Sequence, residues 1–286
     1  MEENYFTRKE VAQVYDGYIS RNMPFYSAAI DFLGDAVAAR FQGVRVPNAI
    51  EIGVGSGNLT ENVLKKVAIN RLTVLDHSRE FLRIAANKLL GGAALPSDGL
   101  TFLLQSFSKH NWSDCLPSCE FELVLSSFTF DHIGDDHLPV VYGDIARITK
   151  TGGIFTLAEK CASNDRNSQA WKSYERSIDL RTEHNRKYNL KSEEEITEWR
   201  RHNFEDDQMR GLLMHIEELN KVGFRVLHIG GVPLPPADRM FYDEYYQTTK
   251  IQNLQRTDLI GNDAAHGVGI LICEKVDLEL MVSSAL

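Results

Sequence analysis

The chain has 286 residues, 43% hydrophobic and 25% charged, enough to bury a sizeable core without disulfide or metal staples. Its 40 acidic against 31 basic residues give a formal charge of −9, which works against the long-range attraction to phosphate backbones and disfavours nucleic acid as a partner. No run approaches the roughly 18 apolar residues of a membrane-spanning helix, and the charged, amphipathic start lacks the apolar segment of a secretory signal, so a cytoplasmic protein without membrane contact is expected.

Apolar spacing at Val11, Val14, Tyr15 and Tyr18, then at Ala28, Ile30, Phe32, Leu33, Val37 and Phe41, has helical period and predicts two leading helices broken near Pro24. A short apolar strand then enters a glycine-rich turn at 53–57 and a helix over 59–67. Strands are predicted at 71–76, 100–105, 121–127 and 153–158, with helices at 79–90 and 137–148 between them. That alternation predicts a doubly wound, mostly parallel α/β sheet. Residues 163–222 break the rhythm with a polar helical stretch, read as an insertion over one end of the sheet. Strands at 224–229 and 267–273 close the pattern, and Tyr242, Tyr245 and Tyr246 between them read as a packing or homodimer surface. The expected division is 1–45 as leading helices, 46–160 with 222–275 as the core, and 161–221 as a helical cover, all in one domain.

The four cysteines, Cys115, Cys119, Cys161 and Cys273, are expected as reduced thiols. Cys115 and Cys119 lack a second Cys/His pair at ligand spacing, so no metal is expected.

Glu51-Ile-Gly53-Val54-Gly55-Ser-Gly57-Asn58 lies between the first strand and its helix. Glycines there let backbone approach a ligand beside a helix amino terminus. A dinucleotide fingerprint would place its third glycine at 58, but that position is Asn58 and the glycine is Gly57, which favours an adenosylmethionine loop over a nicotinamide one. The second strand ends in Asp76-His77, and a carboxylate at that sheet edge can accept both hydroxyls of a ribose.

These residues resemble the class I methyltransferases over most of 10–230. The resemblance implies a Rossmann-like seven-stranded sheet, S-adenosyl-L-methionine as cofactor and methyl transfer to a small molecule. Tyr15-Asp-Gly-Tyr, Met23-Pro-Phe-Tyr26, Ser127-Phe-Thr-Phe, Ala158-Glu159-Lys160 and Ser192-Glu-Glu-Glu are similar to segments of the carboxy-S-adenosylmethionine synthase subgroup. That likeness implies that Tyr26, Gly53, Val54 and Gly55 hold the methionine part and that Asp76 and His77 hold the ribose. It likewise implies Ser106 and Phe107 at the adenine, Ser127 at the floor, and Arg200 at a substrate carboxylate. It also opens an alternative, an enzyme that consumes the cofactor without moving its methyl group, such as a synthase of that kind or a cyclase.

Methyl transfer needs a base only when the nucleophile carries a proton. His132 in Phe130-Asp131-His132 is the first candidate, with Asp131 beside it, against the reading of a histidine satisfied by Asp131 or Asp135. Arg200 is read either as a carboxylate clamp or as a solvated helix residue paired with Glu195. Lys160, after the fifth strand, is a further candidate for the substrate.

Overall fold

The structure is a computed structural model that describes residues 12, 15–17, 19, 23, 25–91, 99–107, 111–162, 166–189, 191–232, 251–255 and 267–277. The tyrosine cluster at 242–246 lies outside these residues, as does most of the first predicted helix, of which 12, 15–17 and 19 are helical.

Helix α1 (Tyr26–Phe41) buries Tyr26, Ala29, Ile30, Leu33 and Val37 along one stripe. This i, i+3, i+4 spacing turns a single face to the sheet. Strands β1 (Val46–Ile52), β2 (Ile69–Asp76), β3 (Leu100–Leu104), β4 (Phe121–Ser127) and β5 (Thr149–Cys161) alternate with α2 (Asn58–Leu64), α3 (Arg79–Gly91) and α4 (Leu138–Ile148). After β5 come α5 (Gln169–Lys187), α6 (Glu193–Arg201), a π turn over His202–Asp206 and α7 (Leu212–Lys221). Strands β6 (Phe224–Val232), β7 (Gln252–Asn253) and β8 (Gly267–Lys275) complete the sheet.

The strand order is β3-β2-β1-β4-β5-β8-β6-β7. The pairs from β3 through β5 are parallel, and β8 runs antiparallel between β5 and β6. The expected seven strands become eight because the two-residue β7 pairs antiparallel with Gly230 and Gly231 at the edge of β6. A segment of two exposed residues carries no alternation from which to read a strand.

The sheet is covered on both faces. One apolar cluster joins Leu33, Val63, Leu82 and Ala85 to the first face, and another joins Val141, Ile145, Leu212 and Ile216 to the second. Two-sided burial explains why β4 reads as an unbroken apolar run, its Leu123, Val124 and Leu125 fully buried. The helices between β5 and β6 add a small core of their own, Trp171, Tyr174, Ile178 and Met209. Among the described residues no helix is long and apolar enough to cross a membrane.

Strand order reverses between β1 and β4. A reversal of this kind opens a crevice outside the carboxyl ends of the strands, where open α/β sheets take their ligands.

Candidate active site

That crevice is a cavity of about 680 Å³ walled by the β1 turn, the end of β2, the loop after β4, the end of β5 and the helices that follow. The β1 turn is built on backbone. Gly53 and Val54 donate their N–H groups to the carbonyl of Leu75, each at 2.9 Å. Gly53 sits at φ +72°, and a Cβ there would stand 2.4 Å from Thr129. Gly55 sits at φ +51°, and a Cβ there would meet nothing within 4 Å. Gly53 is therefore small so that the loop after β4 can close against it, whereas Gly55 faces open space and meets a conformational demand.

Asp76 ties this turn to β2. Its Oδ2 accepts from Gly55 N–H at 2.9 Å and its Oδ1 from Ser78 N–H at 2.8 Å. Each carboxylate oxygen has two acceptor positions, so both keep capacity toward the cavity. His77 stands beside it, Nδ1 3.4 Å from Oδ1. Glu51 is buried beneath the turn and receives the Thr60 hydroxyl. Burial pushes its carboxyl up to about 8, the Thr60 bonds oppose this, and the Asp76 charge adds to it. Tyr26 takes a hydrogen bond from Asn58 at 3.1 Å, and its ring lies 5.2 Å from that of Phe128.

A charged cluster closes the other end. Asp131 follows β4, Lys160 ends β5, and His202 and Asp207 come from the π turn and its exit. Lys160 Nζ bridges Asp131 Oδ2 at 2.7 Å and Asp207 Oδ2. The His132 ring stands between the two carboxylates, Nε2 3.4 Å from Asp131 Oδ1 and Nδ1 3.4 Å from Asp207 Oδ1. His202 Nε2 is 3.3 Å from the same Asp207 oxygen. Burial raises the Asp131 carboxyl, but His132 and Lys160 outweigh it and hold the group well below the usual carboxylate range. For Lys160, burial favours the neutral amine, yet Asp131 and Asp207 hold the ammonium well above its ordinary value. Burial pulls His202 down, against the attraction of Asp207.

Two buried side chains brace the loop that carries Asp131 and His132. Glu159 Oε1 accepts the N–H groups of Thr129 and Phe130 at 2.9 and 2.8 Å. Burial and then the Asp131 charge push the Glu159 carboxyl up to about 8. Arg210, 2% exposed, donates to the carbonyl of Phe130 at 2.9 Å, to the carbonyl of Ile133, and to Asp135 Oδ1 at 2.7 Å.

The residues singled out in the sequence divide into two sets. Tyr26, Glu51, Gly53, Val54, Gly55, Asp76, His77, Phe107, Ser127, Asp131, His132 and Lys160 all line the cavity. Gly57, Ser106 and Arg200 do not. Gly57 caps α2 at φ +85°, against Ala85, so its function is helix entry. Ser106 stands just before the wall residue Phe107. Arg200 turns to Asp179 Oδ1 at 2.8 Å and Thr182 at 3.0 Å, with its guanidinium over Phe204. The phase of α6 aims it at α5, and Arg181 and Lys191 stand on the cavity wall instead, with Trp199, Glu195 and Glu198. His202, Asp207 and Arg210 carried no signal in the sequence, since Asp207 and Arg210 acquire their roles through partners far along the chain and His202 meets Asp207 only through the irregular π turn between them.

Residues 49–153 match the family model described as a methyltransferase domain. An uncharacterized methyltransferase of Bacillus cereus is 27% identical over 186 residues, covering 61% of this chain and 79% of its own length. Among solved structures, Haemonchus contortus phosphoethanolamine N-methyltransferase 2, in complex with S-adenosyl-L-methionine, superposes with a TM-score of 0.59 at 14% identity, over 96% of this chain and 59% of that one. The protein bound to the Trm112 methyltransferase activator of Haloferax volcanii gives 0.58 at 18% identity, over 96% and 98%. The chain thus has the mixed α/β fold of these structures, and within it residues 49–153 match a methyltransferase domain.

Proposed function

We propose that this enzyme transfers the methyl group of S-adenosyl-L-methionine to a small acceptor that carries a carboxylate. The observation behind this reading is that one cavity joins the Gly55 turn and the Asp76 carboxylate to the Asp131, His132 and Lys160 cluster. When bound, the cofactor supplies an electrophilic methyl on a cationic sulfur. The residues present fit it, because the space beyond Gly55 is open and Asp76 keeps acceptor capacity for two ribose hydroxyls. Tyr26, Glu51, Gly53 and Val54 would hold its aminoacyl end, His77 its sugar, Phe107 its base, and Ser127 the floor.

Displacement at the methyl carbon is accelerated mainly by alignment, which removes about 7–11 kcal/mol of barrier where the reacting atoms are held in line. Activation of the acceptor falls to His132, with Asp131 behind it. Lys160 is shared by two carboxylates, and Arg181 and Lys191 stand on the same cavity wall as further cations for a carboxylate, with Glu198 beside them for an acceptor that also carries a cation. We read 161–221 as the cover that shuts this acceptor in, within a single cytoplasmic domain, and the net charge of −9 favours small molecules over nucleic acid.

Titration calorimetry with S-adenosylmethionine, S-adenosylhomocysteine and a nicotinamide dinucleotide tests the cofactor, and preference for the nicotinamide would end the reading. Mass spectrometry of incubations with amino and hydroxy acids should find S-adenosylhomocysteine only when an acceptor is present. Methylthioadenosine released from the cofactor alone would instead point to a cyclase. The synthase-like alternative needs Arg200 at the substrate, so Arg200→Ala should leave acceptor KM within roughly twofold, and a loss above about tenfold would restore that alternative.

A further inference from the structure

Three ligand-type atoms, from His132, His202 and Asp207, lie within 4.8 Å of one another. Asp207 Oδ1 stands 3.4 Å from His132 Nδ1 and 3.3 Å from His202 Nε2. Both separations exceed the roughly 2.7–2.9 Å of a charge-assisted N–H to carboxylate hydrogen bond. Oδ1 has no hydrogen bond, although the Asp207 side chain is 0% exposed. A buried acceptor left this way is destabilising unless something else satisfies it.

The same separations fit the edge of a coordination tetrahedron. Two ligand atoms about 2.0–2.1 Å from a common ion, at the tetrahedral angle, stand about 3.3–3.4 Å apart. Octahedral magnesium at similar bond lengths would draw neighbouring ligands to about 2.9 Å, and it takes oxygen rather than imidazole.

We propose that His132 Nδ1, His202 Nε2 and Asp207 Oδ1 form a binding site for a divalent transition-metal ion of the zinc type, with its fourth position open to the cavity. The surroundings meet the requirements of such a site. Asp131 Oδ1 stands 3.4 Å from the other nitrogen of His132, a carboxylate on the side from which a second shell orients a metal-bound imidazole once it closes to hydrogen-bond length. Lys160 takes the Oδ2 atoms of Asp131 and Asp207, which leaves Oδ1 of Asp207 to the ion. Two carboxylates and one ammonium sum to −1 before a dication enters and +1 after, a balance that favours an anionic fourth ligand. His132 and His202 line the cavity whereas Asp207 lies behind them, so the open position faces the space assigned to the acceptor.

The cysteines, whose spacing offers no metal site, play no part in this one. Its chemical role rests on the methyltransferase reading. The acceptor is then a small hydroxy or carboxylic acid whose oxygen occupies the fourth position. With the ion in place His132 serves as its ligand rather than as a base, so the acceptor oxygen loses its proton to solvent and gains the methyl as the carbon–sulfur bond breaks, leaving S-adenosylhomocysteine.

Tag-free full-length protein, stripped with a chelator, is titrated with cobalt(II) and followed by visible absorption, then displaced with zinc. One equivalent should bind with the strong absorption of a four-coordinate ion. His202→Ala and Asp207→Ala should each weaken binding by more than about 100-fold, and Asp131→Asn by about 10–100-fold. Arg200→Ala should bind as the wild type does. Weak six-coordinate absorption, no binding by the wild type, or equal binding by the His202 variant would overturn the site. The wild-type titration decides the matter even if Asp207→Ala fails to fold. Calorimetry with S-adenosylmethionine on the stripped protein separates the two readings. Cofactor binding without a cobalt spectrum removes the metal alone, whereas a cobalt spectrum without cofactor binding removes the methyltransferase assignment alone.

Discussion

Asp76→Asn is the most informative single change, because the carboxylate serves the fold and the proposed ligand through the same two oxygens. In the structure Oδ2 receives Gly55 N–H at 2.9 Å and Oδ1 receives Ser78 N–H at 2.8 Å. An amide has one oxygen, so in either orientation its NH2 group confronts one of these donors. Losing one charge-assisted bond in a residue 5% exposed costs about 2 kcal/mol, which lowers Tm by roughly 3–4 °C in a chain of this size. The ribose would lose the charge that receives its hydroxyls, another 2–3 kcal/mol or so, equivalent to a roughly 30- to 150-fold weaker Kd for S-adenosylmethionine. Differential scanning fluorimetry without ligand reads the first effect and calorimetric titration the second. A lower Tm with Kd within about threefold of wild type would show that Asp76 only ties the turn to β2, and the sugar-binding role would fall.

The raised Glu51 carboxyl gives a pH dependence of definite sign. Between its ordinary 4.5 and the folded value of about 8, the folded chain holds a proton that the unfolded chain has released. Stability therefore falls as pH rises through that window, by at most about 1.4 kcal/mol per unit, and levels off above it. Glu51→Gln, neutral throughout, should lose this slope, so thermal denaturation curves of the two proteins that stay parallel from pH 5 to pH 8 would refute a buried, protonated Glu51. Arg210→Met should cost about 2–4 kcal/mol, because the carbonyls of Phe130 and Ile133 lose their donor inside the protein. Turnover should fall with it as the Asp131 loop loosens, and a Tm within about 1 °C of wild type would refute that bracing.

Local information sufficed for the glycine-turn end of the cavity. The apolar runs of β1, β2 and β4 record two-sided burial in their own residues. The spacing of Gly53 and Gly55 and the position of Asp76 at a strand end follow from adjacent backbone, so the cavity wall they form was legible. The charged end was not. His202 and Asp207 are five apart, which on a regular α-helix would separate them by about 140°. A π turn, closed by Asp207 N–H on the His202 carbonyl at 3.0 Å, puts them on one side. Arg200 and Arg181 carry the same charge in the same helical cover, and only the packing of α6 on α5 decides which of them reaches the cavity. A buried charge is stable only beside partners, and the partners of Lys160, His132 and Arg210 are delivered from other strands and helices by the completed fold.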